Sequence, residues 1–290
     1  GGHWVIAVYT EEEDKQQVAF YTSRDLKQWE LASRIDGFFE CPELFELAVD
    51  GDTENRRWVL FAADAQYLVG TFDGRTFVPD SLEKQRVHYG EFYASQCFSG
   101  VPEGRVIQIG WARINMPDMP FNQAFSLPVE LTLRTTPHGL RLLAAPISEL
   151  ESLREEHRSV VRRDITPEKS LTVPVHGQLF DVLITLDPGD ARTVALQFGR
   201  NRIVYDVTDG TLDEMPLPLQ DGRVQFRVVI DRPMYEISGG GGTVYKTAAR
   251  ADGGDNIESF ELSTTGGTAT LESLDVFDMR SIWSSETAPR

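Results

Sequence analysis

Short, largely apolar runs of strand length dominate the first half of the sequence and constrain its fold more than any other feature. Residues 5–9, 58–62 and 105–111 form such runs, and each is bounded by glycine, charged or turn residues. Runs of this length and composition are typical of β-strands. Because only one convincing helix start occurs elsewhere, the sequence predicts an all-β protein.

The first two runs open a loose internal repeat. Residues 18–22 and 67–72 are predicted to be shorter second strands, each followed by a polar turn that ends in an aromatic residue. The repeat length of about 50 residues fits one four-stranded blade of a β-propeller. A plain antiparallel meander would give the same spacing, so both architectures stay open at this point. The acidic run 11–14 lies between two strands and is predicted to be a solvated hairpin loop.

The pattern changes after residue 145. Ser148 and Glu151 fit a capping box, in which Ser148 is the N-cap and Glu151 the third helical residue. We therefore predict a linker helix over 146–157. This helix would separate a first domain, residues 1–145, from a second domain, residues 158–290.

The second domain shows the alternation of half-buried strands. Alternate apolar residues at 180–186 and at 224–230 share one face of their strands, and turn signals recur between the strands. This pattern is typical of an antiparallel β-sandwich. The four glycines at 239–242 lack the Gly-Lys pair and the following helix of a phosphate-binding loop, so we predict a tight hairpin there.

Composition and charge exclude several function classes. The 41% hydrophobic and 25% charged content of the 290 residues is typical of a soluble globular protein. The net charge of -17 argues against a nucleic-acid partner and favours a neutral or cationic ligand such as a sugar. The sequence shows no membrane-span-length apolar run, no signal-peptide pattern and no metal-ligand spacing. Cys41 and Cys97 are the only cysteines, and no framework pattern supports a disulfide between them.

A glutamate inside an otherwise apolar run is the strongest candidate for chemistry. Glu40 lies in the run F-E-C-P-E-L-F at 39–45. Burial of an unpaired carboxylate costs free energy and raises its pKa, which suits a general acid near neutral pH. A hydrolytic site of this kind needs two carboxylates, so Glu40 would be half of one. The alternative is a glutamate that only caps a turn before Pro42.

Several segments, taken in order, resemble glycoside hydrolase family 32, the fructofuranosidases that include invertases, inulinases and levanases. The matching segments are S-R-D-L-K-Q-W at 23–29, E-C-P at 40–42, Y-L-V-G-T-F-D-G-R-T-F at 67–77, F-Y-A-S-Q at 92–96, I-G-W at 109–111, D-R-P-M-Y-E at 231–236 and S-I-W at 281–283. The region 119–133 is similar to bacterial levanase-like members. The resemblance implies a partial five-bladed β-propeller, its last three blades, followed by a C-terminal β-sandwich.

Two motifs of that family do not occur in this sequence. They are W-M-N-D-P-N-G, whose aspartate is the nucleophile, and R-D-P, which grips the fructosyl ring. The resemblance therefore implies that this chain supplies the general acid/base of a retaining two-carboxylate hydrolase. It further implies fructan or sucrose as substrate, no cofactor, no membrane partner, and an extracellular or periplasmic location.

The absent motifs leave a hypothesis of another class open. The chain would then be a catalytically incomplete carbohydrate-binding or interaction fragment of such an enzyme. A three-blade remnant exposes unpaired blade edges, which are prone to pair with other chains. A separately encoded N-terminal half or a second copy would cover those edges.

The resemblance gives three residues a role at the reacting bond. Glu40 would be the general acid/base, Cys41 would sit against its carboxyl group and tune its acidity, and Tyr93 would hydrogen-bond the nucleophile or the substrate. Each also has a purely structural alternative. Cys41 would then be a small buried hydrophobe and Tyr93 a core tyrosine with a satisfied hydroxyl.

Three further residues are candidates for substrate binding. Glu91 would accept a fructose hydroxyl group, and the alternative is a solvated loop glutamate. Asn122 and Gln123 lie in a proline-rich loop and would contact substrate beyond the fructosyl site, since such loops commonly carry binding groups. The alternative for Asn122 is a turn-forming residue. His88 and Trp111 are interpreted as mainly structural.

Overall fold

The computed structural model describes residues 2–117 and 119–283. Within these residues the chain forms 26 strands and three short 3-10 helices, and none of its helices is long and apolar enough to cross a membrane. The chain divides into two compact units. Unit 1 contains residues 1–112 and 125–144, and unit 2 contains residues 113–124 and 145–290. The all-β class predicted from the strand-length runs is confirmed.

The first fourteen strands belong mainly to unit 1. They are β1 (Trp4–Glu12), β2 (Lys15–Ser23), β3 (Glu30–Asp36), β4 (Glu43–Val49), β5 (Asp52–Phe61), β6 (Gln66–Phe72), β7 (Phe77–Pro79), β8 (Gln85–Arg86), β9 (His88–Gly90), β10 (Phe92–Cys97), β11 (Val106–Ala112), β12 (Ala124–Phe125), β13 (Val129–Thr136) and β14 (Gly139–Pro146).

Unit 1 is built from sequential antiparallel meanders. Strands β1-β2-β3 form one sheet, and β4-β5-β6-β7 and β10-β11-β13-β14 form two four-stranded meanders joined by a parallel pair between Leu133 and Val49. A hairpin turn joins β1 and β2 as predicted, but it is shorter than the acidic run 11–14, because Glu11 and Glu12 belong to β1. The two turn residues, Glu13 and Asp14, have φ angles of 51° and 60°, the left-handed conformation that a tight hairpin requires.

An aromatic and aliphatic core packs the sheet β1-β2-β3 against the meander β4-β5-β6-β7. Phe20 of β2 lies 5.3 Å from Phe72 of β6, and Trp58 of β5 also lies 5.3 Å from Phe72, measured between ring centroids. The buried members of this core are Val18, Phe20, Phe38, Leu60, Ala62, Leu68 and Phe77. All of these residues except Phe38 and Phe77 come from the runs that predicted the strands, so one pattern specifies both the strands and most of this core.

Unit 2 holds the remaining strands. They are β15 (Arg154–Ile165), β16 (Leu171–Gly177), β17 (Leu179–Asp187), β18 (Thr193–Phe198), β19 (Asn201–Asp206), β20 (Thr211–Leu212), β21 (Met215–Pro216), β22 (Val224–Asp231), β23 (Met234–Gly239), β24 (Val244–Ala249), β25 (Ile257–Thr265) and β26 (Ala269–Met279). The three 3-10 helices among the described residues are Pro102–Gly104, Ser148–Leu153 and Gly240–Gly242.

Two sheets of unit 2 pack face to face. One runs β15-β26-β17-β22-β23-β24, and the other runs β16-β25-β18-β19-β20-β21. Phe180 and Tyr235 from the first sheet meet Phe260 and Phe198 from the second, each pair with ring centroids 5.3 Å apart. The predicted alternation is therefore the inward face of a sandwich. The predicted glycine hairpin is also present, with Gly240–Gly242 joining β23 to β24.

The predicted linker helix is shorter and of another type than expected. Ser148–Leu153 is a 3-10 helix, and the long strand β15 begins directly after it at Arg154, inside the predicted helix. The predicted N-cap role of Ser148 is wrong: Ile147 is the N-cap, and no side chain caps the helix. Six residues before a strand are too few for a stable α-helical hydrogen-bond ladder, so the tighter 3-10 turn forms instead.

A fully buried carboxylate ties β15, β17 and β22 together. Asp181 is completely inaccessible, and Arg154 Nε donates to its Oδ2 at 2.7 Å. Arg227 binds the same carboxylate in a bidentate manner, at 2.7 Å and 2.8 Å. Two guanidinium groups therefore compensate the desolvation of one carboxylate.

Replacement of Asp181 by leucine should destabilise unit 2 strongly. Two largely buried guanidinium groups would lose their counter-ion, and we expect a loss of about 3–5 kcal/mol in unfolding free energy. Asp275→Asn is the control, because its pairing with the exposed His157 should be worth less than about 1 kcal/mol. Chemical denaturation at neutral pH measures both. Equal losses for the two variants would show that the buried triad has no special weight.

Candidate active site

The E-C-P segment forms a strained turn directly before β4. Glu40 and Cys41 have φ angles of 44° and 39°, a region that side-chain-bearing residues rarely adopt. Cys41 also precedes Pro42, and a residue before proline normally prefers an extended conformation. Ala63 N donates to Glu40 O at 3.2 Å, and Ala94 N donates to Ala63 O at 3.0 Å. These backbone contacts help to hold the turn in its strained form.

The Glu40 carboxylate faces a set of aromatic side chains. Tyr93 Oη on β10 donates a hydrogen bond to Glu40 Oε2 at 2.8 Å. Tyr93 in turn makes an edge-on contact with Trp111, with ring centroids 6.1 Å apart. On the other side of the turn, Tyr9 of β1 makes an edge-on contact with Phe39 at 5.4 Å. The structure thus brings Glu40 and Tyr93 together, although 53 residues separate them.

Tyr93 remains a hydrogen-bond donor at neutral pH. Burial raises the pKa of its hydroxyl to about 12, and the hydrogen bond to Glu40 and the charges of Glu40 and Asp64 add to the shift. Because the group keeps its proton, it can donate to a carboxylate but cannot act as a base. Asp64 had no place in the sequence-based prediction, because its position in the turn between β5 and β6 gave no signal.

The Cys41 thiol also stays protonated beside Glu40. Burial of the thiol raises its pKa, and the charges of Glu40 and Glu43 raise it further. Cys41 is exposed and free, and Cys97 is free as well. A protonated thiol is a weak donor and a poor nucleophile, so covalent chemistry at Cys41 is not supported.

The most deeply buried carboxylate of the segment belongs to Glu43 and not to Glu40. Glu40 is half-buried, whereas Glu43 at the start of β4 is buried. Glu43 accepts hydrogen bonds from the Cys97 backbone N–H, from Ser95 Oγ at 3.2 Å and from Gln108 Nε2 at 2.9 Å. Burial raises the pKa of Glu43, and the hydrogen bonds oppose that shift. The apolar run was expected to bury Glu40. In the structure it buries Glu43 instead.

His88 extends this network. Its Nε2 lies 3.1 Å from Gln108 Oε1, and its ring stacks on Phe92 with centroids 3.8 Å apart. Complete burial lowers the pKa of His88 to about 3, while the contact with Gln108 opposes the shift. The ring is therefore neutral at physiological pH. Side-chain contacts of Glu43, Gln108 and His88 thus connect β4, β11 and β9.

The other three predicted binding residues lie in connections between strands. Glu91 is half-buried in the turn directly before β10. Asn122 and Gln123 lie in the loop 113–124, which groups with unit 2 and not with the first domain as its boundaries predicted. Asn122 is exposed, and its Oδ1 accepts a hydrogen bond from Met116 N at 3.2 Å. Substrate contacts by these three residues stay predictions.

Comparison with known proteins identifies the family of the chain. Residues 1–146 match the model of the glycosyl hydrolases family 32 N-terminal domain. The chain belongs to glycosyl hydrolase family 32. The match includes the E-C-P turn and the strand with Tyr93, so it covers the site described above.

Relatives of this family 32 chain include a levanase of Bacillus subtilis, which is 26% identical over 92% of this chain and 47% of its own length. An extracellular exo-inulinase of Aspergillus ficuum is 27% identical over 97% of this chain and 63% of its own length. The crystal structure of an exo-inulinase from Aspergillus awamori shares the fold, with a TM-score of 0.78 and 24% identity over 96% of this chain. The chain thus spans between about half and two thirds of these curated relatives.

The substitution Glu43→Gln should weaken the fold. The amide group would place N–H groups against donors that now face a carboxylate, at a cost of about 1–3 kcal/mol in unfolding free energy. Glu46→Gln on the same strand is the control. Its partly exposed carboxylate pairs with Arg56 at 2.8 Å, so its loss should cost less than about 1 kcal/mol. Denaturant titration compares the unfolding free energies of the two variants. A Glu43→Gln variant as stable as wild type would show that the hydrogen bonds to the Glu43 carboxylate do not stabilise the fold.

Burial of neutral His88 predicts a loss of stability in acid. Between pH 6.5, the ordinary value for histidine, and about 3, the unfolded chain binds a proton that the folded chain does not. Stability should therefore fall as the pH drops through this window, by up to about 1.4 kcal/mol per pH unit. The His88→Asn variant should lack this component, and His138→Asn, at an exposed position, should retain it. Denaturation at several pH values decides the matter; parallel curves for wild type and His88→Asn would refute it.

Proposed function

We propose that this chain supplies the general acid/base of a hydrolase that cleaves β-fructofuranosyl linkages in levan, inulin or sucrose with retention of configuration. The observation that carries the proposal is the Tyr93–Glu40 hydrogen bond of 2.8 Å at the strained E-C-P turn of a family 32 chain. The names of the relatives, levanase and exo-inulinase, support fructans as the substrate class.

Retention implies two steps at the anomeric carbon. In the first, Glu40 gives its proton to the leaving oxygen while a second carboxylate, about 5 Å away, attacks the carbon. In the second, the Glu40 carboxylate takes a proton from water as that water displaces the carboxylate from the fructosyl-enzyme. Each step needs only proton transfer and a carboxylate nucleophile, so the proposal requires no cofactor.

Tyr93 and Cys41 would adjust Glu40 between these steps. The protonated Tyr93 hydroxyl donates to Glu40 and fixes the direction of Oε2, so less conformational freedom is lost when the leaving oxygen is protonated. Cys41 would place a neutral, weak donor against the same carboxyl group. Glu91 is proposed to accept a fructose hydroxyl group, and Asn122 and Gln123 are proposed to contact substrate beyond the fructosyl site.

The second carboxylate would come from outside the described site. We propose that residues 1–145 belong to the C-terminal blades of a five-bladed propeller and residues 158–290 to the sandwich domain. The exposed Trp4, Val5 and Ile6 on β1 support a further protein surface beside that strand, from an N-terminal half or a second copy. An extracellular or periplasmic location is proposed from the names of the relatives.

A carbohydrate-binding fragment without catalysis is the second candidate. Such a fragment would bind fructan and release no fructose.

The decisive measurement is fructose release from levan and from sucrose. It is made for this chain alone and for the chain mixed with a separately expressed N-terminal fragment that carries the nucleophile motif. We expect turnover in the mixture, and we expect Glu40→Gln to lower it by about 10²–10⁴-fold while sugar affinity stays near that of wild type. The exposed Glu54→Gln variant is the control.

Each other outcome has a defined meaning. Full activity of Glu40→Gln would refute the acid/base assignment. Loss of sugar binding in that variant would make Glu40 a structural residue. Absence of fructose release in the mixture, with sugar binding intact, would favour the binding fragment.

A further inference from the structure

Three aromatic side chains of unit 1 lie in register across neighbouring strands. Tyr93 of β10 pairs with Trp111 of β11. Strand β12 pairs with β11 on its other side, and Ser126 N donates to Gly110 O at 2.9 Å. Because the chain turns back after β11, this hydrogen bond sets Phe125 opposite Trp111. We call the set Tyr93, Trp111 and Phe125 the aromatic row.

The aromatic row is more exposed towards its outer end. Trp111 is 41% exposed and Phe125 is 72% exposed, whereas Tyr93 is partly buried against Glu40. Laterally paired residues point to the same face of a sheet, so the three rings line one continuous surface. Contiguous exposed apolar surface of this kind marks a site of interaction with a ligand or another molecule.

The strand that carries Phe125 is held firmly. Ser126 Oγ accepts a hydrogen bond from Gly110 N at 2.9 Å and donates to Leu127 O at 3.1 Å. Gly110 itself allows the Phe92 ring to approach, since a Cβ atom there would lie 2.3 Å from that ring. Fixed rings lose little conformational freedom when a ligand binds, which favours a binding role.

We propose that the aromatic row binds a further sugar unit of a fructan chain whose cleaved bond lies at Glu40. This inference rests on the proposed function. From Tyr93 to Phe125 the row spans two inter-strand distances, about 10 Å, so it extends beyond the group that contacts the reacting bond. The row would therefore favour longer chains over sucrose, because only a longer substrate reaches Phe125.

The chemistry of the surface fits a neutral saccharide. Aromatic rings offer an apolar face for the C–H side of a sugar ring, while tyrosine and tryptophan add polar edges. The net charge of -17 disfavours polyanionic polymers in the same position. Binding energy gained at a remote unit of the substrate can also be used at the reacting centre, so the row should affect turnover of long chains as well as their affinity.

The test is calorimetric binding of short inulin oligosaccharides and of sucrose to the full chain. Phe125→Ala should weaken oligosaccharide binding about tenfold, and weaken it more than sucrose binding, while Phe125→Trp should retain it. Phe98→Ala is the matched control. Phe98 is 52% exposed and follows the other end of β10, so its loss should leave oligosaccharide affinity unchanged.

The outcomes separate this inference from the proposed function. If a folded Phe125→Ala variant kept the oligosaccharide affinity of wild type, the proposed binding role of the aromatic row would be wrong, whatever the measurement of fructose release shows. Equal losses of oligosaccharide affinity in Phe125→Ala and Phe98→Ala would also overturn this role. So would a wild-type chain that binds no sugar but self-associates through Phe125. Selective loss in Phe125→Ala without fructose release by the complemented chain would support the row and refute hydrolysis.

Discussion

The candidate site depends on one interaction, the clamp around the buried carboxylate of Glu43. Its partners come from β10 and β11, while Glu43 itself opens β4. The clamp therefore joins two separate meanders at the first residue of β4, directly after the E-C-P turn. Removing a buried carboxylate from water is costly, and three donors are what make this position tolerable. Once β4 and β10 are fixed in this way, Glu40 and Tyr93 face each other.

The strain in the turn is the counterpart of that clamp. Two successive residues, Glu40 and Cys41, are held with positive φ before a proline, each at an energetic cost that the surroundings must offset. A relaxed turn would direct the Glu40 side chain differently from its present contact with Tyr93. The geometry is thus determined by contacts between distant segments, and the local sequence alone opposes it.

The regular parts of the fold could be predicted from the sequence, and the special parts could not. Apolar runs with turn residues at their ends located β1, β5 and β11, and strict alternation located β17 and β22. The linker helix failed because a capping-box pattern reports only a local preference, and the following strand β15 takes the residues that a longer helix would need. The motif singled out Glu40 as the candidate acid, but the burial of Glu43 was missed because both acids lie in one apolar run.

The sequence by itself determined the all-β class, the candidate acid Glu40 and the motifs that point to a family of fructan-cleaving enzymes. These features are local, since periodicity and motif residues are set by neighbours along the chain. The tertiary structure alone decided which glutamate is buried, which donor meets Glu40 and which aromatic rings lie beside it. Those features join segments up to 65 residues apart, as Glu43 and Gln108 do, and burial and hydrogen bonding between them depend on how the strands assemble.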